Sequence, residues 1–292
     1  MLLEVKNLWK RIEKFSIEDI NLKLESNELT LLLGPNGSGK TMLCRLLCLL
    51  LKPDKGEILL DGTNAWDIED EYRGKLSYIT EDEGYPFWLT LEEYMKFFTG
   101  LMEINWIDVR DKVRELCREL LLLDRWDKRL SEFSAGMLRK VSLIRGLIKG
   151  EIFIWDEPFI NLDQEAIKFI CKKLIELKSE NKIVFVTSHL LPPYLTPDKV
   201  CIIDNGKIKT VLKGTEALGL REVIMRFKFP VNNVQNYLTN KFKLIVVEKL
   251  ESDVLRVLVT SDLLLELLGV VNYLKENFGL LDIEVRKFFE FK

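Results

Sequence analysis

The spacing of apolar and polar positions changes several times along the chain, and each change marks an element. Residues 2–7 (LLEVKN) and 17–24 (IEDINLKL) read as strands, and the alternation in INLKL predicts a half-buried antiparallel edge. An apolar run of strand length follows at 28–33 (ELTLLL), then a helix-prone run at 42–51 (MLCRLLCLLL) that Pro53 stops. Short strands are predicted at 56–60, closed by a tight turn at Asp61-Gly62, and at 76–80. The period then becomes helical. Thr90 reads as an N-cap with Glu92 and Glu93 in the first turn, and helical patterns run through Met102 and over 108–123. Ser134 opens another helix at 137–149.

The run 151–155 (EIFIW) is apolar throughout, as a strand buried on both faces requires. A helix is predicted over 164–180 and a strand over 182–187. A hairpin follows, 199–203 and 207–212, turning at Asp204-Asn205-Gly206. Residues 1–215 thus read as an α/β domain with a helical subdomain at about 82–150. The remainder, 216–292, has its own order. It comprises a strand at 223–229, a helix at 231–240 after Pro230, strands at 243–248 and 254–260, a helix at 263–278 and a strand at 281–291. This βαββαβ order predicts a small ferredoxin-like α+β domain.

At 292 residues, 47% apolar and 30% charged, the composition is that of a globular chain with a full core. The net charge of −3 offers no overall basic footprint, so nucleic acid is not an expected partner. No apolar run reaches the length of a bilayer span, and the N-terminal stretch carries Glu4 and no signal-like apolar segment. A cytoplasmic protein is expected. The five cysteines lack C-x-x-C spacing and suit reduced core fillers, with Cys44 and Cys48 sharing a helix face as a less favoured metal or disulfide pair.

The candidate chemistry begins with Gly34, Pro35, Asn36, Gly37, Ser38, Gly39, Lys40 and Thr41, which fit G-x-x-x-x-G-K-[ST] between a strand and a helix. In that context successive backbone N–H groups and the helix N-terminus form an anion cradle. Glycine permits the positive φ values and close backbone approach it needs, Lys40 reaches the β- and γ-phosphates, and the Thr41 hydroxyl can ligate Mg²⁺. Asp156, at the end of EIFIW, is placed to support Mg²⁺, and Glu157 beside it to orient or deprotonate water. His189, the single histidine, follows a strand expected to run parallel to EIFIW. It is either an ordinary surface or core residue or a γ-phosphate contact at the carboxyl-end crevice.

With these residues in order, residues 1 to about 215 resemble the ATPase subunit of an ABC transporter. GPNGSGKT resembles the Walker A and IFIWDEP the Walker B. Phe133, Ser134, Ala135, Gly136 and Met137 are similar to the LSGGQ signature, Ile160 to Asp163 to the D-loop, and Ser188-His189 to the histidine switch. The resemblance implies a P-loop NTPase fold that binds ATP and Mg²⁺ and hydrolyses ATP, with two such domains, identical or different, sandwiching two nucleotides. Ser134 and Gly136 would then cap the γ-phosphate held by the other subunit, Asp163 would link the two sites, and His189 would sense the γ-phosphate. It also implies a separate multi-span membrane permease on whose cytoplasmic face the chain works. The patch Gly84, Tyr85, Pro86, Phe87 and Trp88 lies where the family docks its membrane partner. The Met137-x-Arg139 sequence and the appended C-terminal domain are similar to exporter-type members.

Four positions depart from the family pattern. Glu81 stands at the Q-loop glutamine, where a carboxylate can still face Mg²⁺ through water. Ala135 replaces a signature glycine and Asn27 a turn glycine. Ile12 falls where an adenine-stacking aromatic is expected, with Trp9 and Phe15 as possible substitutes. A non-transport ATPase of the same type and an ATP-binding regulatory module with weak hydrolysis are the rival readings.

Overall fold

The first three apolar runs form an antiparallel hairpin and the entry to a second sheet. In the computed structural model, which describes residues 1–287 except Asp82, Pro193, Leu218, residues 243–245 and Thr260, β1 (Leu2–Ile12) pairs with β2 (Phe15–Glu25). With β4 (Lys55–Leu60) and β5 (Thr63–Asn64) they make a four-stranded sheet in the order β2-β1-β4-β5, so the INLKL strand is the edge that its alternation predicts. Asn27, just after β2, adopts φ 66°, the left-handed conformation that asparagine tolerates.

A six-stranded sheet carries the site. It comprises β3 (Leu29–Leu33), β6 (Leu76–Ile79), β7 (Ile152–Trp155), β8 (Ile183–Ser188), β9 (Lys199–Asp204) and β10 (Lys207–Lys213), in the order β10-β9-β3-β8-β7-β6. The five strands from β9 to β6 are parallel, and β10 returns antiparallel through a turn with positive φ at both Asn205 and Gly206. All residues of β3, β7 and β8 are buried, because parallel strands covered on both faces have no polar side.

The phosphate loop leads from β3 into α1 (Lys40–Leu47). This helix ends earlier than the apolar pattern predicts, because Leu49 turns to φ 55° to bury its side chain. The helix α2 (Glu69–Lys75) carries no apolar stripe, only the buried Tyr72, and so escaped the periodicity argument. The predicted helical insertion contains α3 (Leu91–Leu101), opened by a Thr90–Glu93 capping box, and α4 (Trp106–Glu119). Next comes α5 (Ala135–Gly146), capped by Ser134, and between β7 and β8 runs α6 (Gln164–Ser179), capped by Asp163.

After the short α7 (Gly214–Ala217) comes a third sheet. It holds β11 (Arg221–Phe227), β12 (Val246–Glu251), β13 (Val254–Val259) and β14 (Leu280–Lys287), all neighbours antiparallel, in the order β12-β13-β11-β14. The unit's first and second strands are therefore parallel with β13 between them, the split βαβ arrangement of the ferredoxin-like order. Its helices are α8 (Asn232–Lys241), α9 (Ser261–Gly269) and α10 (Val271–Phe278). The single helix predicted at 263–278 is thus two, separated at Val270, directly after the weak helix former Gly269. Residues 243–245 of one predicted strand and 288–291 of the last lie outside the described residues. Alternation on β13 sends Val257 into the unit's own core and Leu258 into the cluster of the main domain, beside Ala217 and Leu220.

All five cysteines are buried and free. Burial pushes the thiols of Cys117, Cys171 and Cys201 up to about 12, and those of Cys44 and Cys48 well above the ordinary range. A thiol so held is a poor nucleophile. A disulfide-exchange reagent should therefore titrate less than about a tenth of the thiol in the native protein and all of it in denaturant. Rapid native reaction of Cys44 or Cys48 would overturn their role as core fillers.

Candidate functional site

The loop Gly34 to Thr41 sits at the carboxyl end of β3, where a parallel sheet opens its crevice. Its glycines serve two different needs. A Cβ on Gly34 would lie 2.3 Å from the Ile203 carbonyl oxygen, so the loop must pass close to β9. Gly39 instead has φ 107°, which delivers the chain into α1. The β9–β10 turn props the loop from behind, with Gly206 N donating to Ser38 O at 3.0 Å. Gly34, Pro35 and Ser38 form that back. Asn36, Gly37, Gly39, Lys40 and Thr41 line a cleft of about 640 Å³.

The same cleft brings in Glu81, Glu157 and His189. Lys40 Nζ donates to the carbonyls of Gly34 (2.8 Å) and Pro35 (3.1 Å) and lies 3.1 Å from Glu157 Oε1. Glu157 Oε2 is 3.1 Å from His189 Nδ1 and accepts from His189 N at 3.3 Å. Burial works to raise the Glu157 pKa, but the His189 hydrogen bond and the Lys40 charge outweigh it and hold the carboxyl below its usual value. A buried carboxylate kept ionised beside a phosphate cradle can orient or deprotonate water. Asp156 is fully buried. Its Oδ1 accepts from Thr187 Oγ1 at 2.6 Å, and its Oδ2 receives no hydrogen bond among the described residues.

One end of the cleft, where the adenine contact is expected, is framed by Ile12 and Phe15, whose ring packs against Gly39. Trp9 does not line the cleft; it lies under the Lys55 ammonium. Arg45, four residues after Thr41 and so on the same helical face, also lines the cleft. Its i, i+4 spacing from Thr41 is the signal in the sequence that marks it.

The signature-like residues stand apart from their own chain's phosphate loop. Ser134 caps α5 by accepting from Met137 N at 3.3 Å, and a Cβ on Gly136 would lie 2.6 Å from the Asn161 carbonyl oxygen. None of Ser134, Ala135, Gly136 and Met137 lines the phosphate-loop cleft; Ala135 faces a neighbouring hollow shared with Glu81 and Arg139. Asp163 accepts from Lys140 at 2.7 Å and from Ala166 N at 2.8 Å, contacts that hold its carboxyl below the usual range. Of the aromatic patch, Phe87 and Trp88 are exposed, while Tyr85 is half-buried and donates to Leu138 O at 3.0 Å.

Three further structural roles, those of Arg139, Glu83 and Thr187, emerge only from the tertiary structure. Arg139, buried, donates to the carbonyls of Thr80 (2.6 Å), Asp156 (2.8 Å) and Glu157 (2.6 Å), tying α5 to the ends of β6 and β7. Glu83 accepts from Arg145 at 2.7 Å and from Ser142 at 2.8 Å, anchoring the segment after Glu81 to the same helix. Thr187 touches both acidic residues at the end of β7. Each acts through a partner far away in sequence, so no local pattern announces it.

Fold and cleft together define a phosphate-loop ATPase of the cassette type. The family model described as ABC transporter matches residues 17–160. A probable sulfate/thiosulfate import ATP-binding protein, CysA of Chlorella vulgaris, is 30% identical over 212 residues, 71% of this chain and 89% of that protein. The SkfA peptide export ATP-binding protein SkfE of Bacillus subtilis is 29% identical over 211 residues, 71% of this chain and 87% of that protein. A solved ATP-binding subunit of an ABC transporter superposes with a TM-score of 0.67 at 28% identity, covering 73% of this chain and 90% of the other. The chain belongs to the ATP-binding subunits of ABC transporters and is an ATPase. No helix among the described residues is long and apolar enough to cross a membrane.

Proposed function

We propose that this chain powers an export-type ABC transporter, closing as a dimer around two ATP molecules and driving a separate multi-span membrane subunit from the cytoplasmic face. The observation that carries the reading is the single cleft in which the phosphate loop, Glu157 and His189 meet. Lys40 and the loop N–H groups bind the phosphates, and Phe15 with Ile12 receives the adenine. Glu157, kept ionised by His189 and Lys40, orients the attacking water and takes its proton.

A divalent cation suits the residues present, because Asp156 Oδ2 is a buried carboxylate oxygen without a donor among the described residues, and Thr41 lines the cleft together with Glu157, the residue next to Asp156. Asp156, Thr41 and, through water, Glu81 would hold it. Mg²⁺ bound there would offset charge on the phosphates. The composite dimer is supported by the separation of Ser134 and Gly136 from their own phosphate loop. At the capped N-terminus of α5 they are free to meet a partner's nucleotide.

Exposed Phe87 and Trp88 offer the membrane subunit an aromatic anchor. The direction of transport rests on the likeness of Met137-x-Arg139 and of the ferredoxin-like unit to exporters, and on the peptide-export relative; the import relative is the counterweight. The test is co-reconstitution with the membrane subunit in vesicles whose nucleotide sites face outward. ATP-dependent accumulation of a component of a cell extract is expected. Lys40→Ala should abolish it and slow turnover about 10²–10³-fold. Accumulation only with nucleotide sites inside would make the system an importer.

A further inference from the structure

Thr187 belongs to none of the motifs named above, yet it bridges the two acidic residues at the end of β7. Trp155 and Val186 are register partners in the parallel pair β7–β8, so the next residues lie side by side, Asp156 just past the end of β7 and Thr187 still on β8, where it pairs with Leu32 of β3. Thr187 is fully buried. Its hydroxyl accepts from Glu157 N at 3.0 Å and lies 2.6 Å from Asp156 Oδ1.

The direction of both bonds is forced. A backbone N–H can only donate, so the Thr187 oxygen is the acceptor toward Glu157. Its one proton is then left for Asp156 Oδ1. That bond fixes the rotation of the Asp156 carboxylate and leaves the buried Oδ2, which has no donor among the described residues, as its oxygen for a cation. The second bond holds Glu157 at φ 47°, a left-handed conformation that costs a residue with a Cβ about 1–3 kcal/mol and persists where the surroundings enforce it.

We infer that Thr187 is a positioning residue for the hydrolytic site: its hydroxyl presents Asp156 Oδ2 to the metal and holds the Glu157 backbone turned into the cleft. An ordinary buried strand threonine would satisfy its hydroxyl on a nearby carbonyl; this one spends both its donor and its acceptor on Asp156 and Glu157. The inference rests on the reading of Asp156 as a metal-holding residue. It adds a sequence-distant residue to that site, from the adjoining strand.

The test is Mn²⁺ binding to the full chain in the presence of a non-hydrolysable ATP analogue, followed by electron paramagnetic resonance. Thr187→Val keeps the shape and removes the hydroxyl, and should weaken Mn²⁺ about 10–100-fold, as loss of a partner to a metal-ligating group does. Affinity for the analogue in chelator should stay within about twofold, since the phosphate cradle is untouched, and Thr187→Ser should restore wild-type Mn²⁺ affinity. Wild-type Mn²⁺ affinity in Thr187→Val, with Asp156→Asn weakened, overturns the inference alone. Unchanged affinity in Asp156→Asn would instead remove the metal assignment and the inference with it. Should Thr187→Val fail to fold, Thr187→Cys, a weaker donor of similar size, is expected to weaken Mn²⁺ in the same direction, and wild-type affinity there would also overturn the inference.

Discussion

Glu157→Gln is expected to lower steady-state ATP hydrolysis about 10²–10⁴-fold, the range for removing a positioned general base, while making the chain a dimer only with Mg-ATP. The amide keeps the shape of the carboxylate and its place beside His189, but it cannot take a proton from water. Nucleotide that is bound and not hydrolysed should then hold the closed dimer, which light scattering or analytical ultracentrifugation reads as a doubled mass. A dimer without nucleotide would move the contact to the C-terminal unit. No dimer with bound ATP would sink the composite-site reading. The substitution should also show in acid. The folded pKa of Glu157 lies below its unfolded value, so the ionised group's contribution is complete above the ordinary carboxylate range. It is lost as pH falls through the depressed value. Wild-type melting temperature should therefore drop more steeply on the acid side than that of Glu157→Gln.

Arg139→Ala is expected to cost about 3 kcal/mol of stability, from charge-assisted hydrogen bonds to three carbonyls, those of Asp156 and Glu157 buried and that of Thr80 partly so, which lose their donor. In a chain of this size that is a fall of roughly 6–12 °C in melting temperature. Burial lowers the Arg139 pKa, so the native structure already bears a desolvation cost that leaves with the side chain and limits the loss. Hydrolysis should fall as well, since two of the three carbonyls belong to Asp156 and Glu157. Arg139→Lys should recover little, because an ammonium cannot spread over three acceptors as the guanidinium fork does. A melting temperature within about 2 °C of wild type for Arg139→Ala would overturn this account.

The α/β class, the helical insertion, the βαββαβ order of the last unit and the phosphate loop with its downstream acidic pair were all legible before any coordinates. Each is written in contiguous residues: a buried parallel strand as an unbroken apolar run, an edge strand as alternation, a cradle as glycines before Lys40. Boundaries were less legible. Leu49 leaves the helix because burial outweighed helix propensity, and Gly269 and Val270 divide a pattern that looked continuous. The candidate adenine contact was open among Trp9, Ile12 and Phe15, which lie along one hairpin; only folding shows that Phe15 and Ile12 reach the cleft while Trp9 turns to Lys55.

By itself, then, the amino-acid sequence determined which groups the chain owns as candidates for binding phosphate and activating water, because those groups are set by local backbone geometry. The tertiary structure alone decided what steadies them. Thr187 reaches Asp156 from a neighbouring strand, Arg139 reaches three carbonyls from the helix behind Ser134, and His189 and Lys40 together keep Glu157 charged in a buried place. Parallel strands are joined only through long crossovers, so residues that share a hydrogen bond at the sheet's carboxyl end lie dozens of positions apart. Their partnership exists only once the strands are in register.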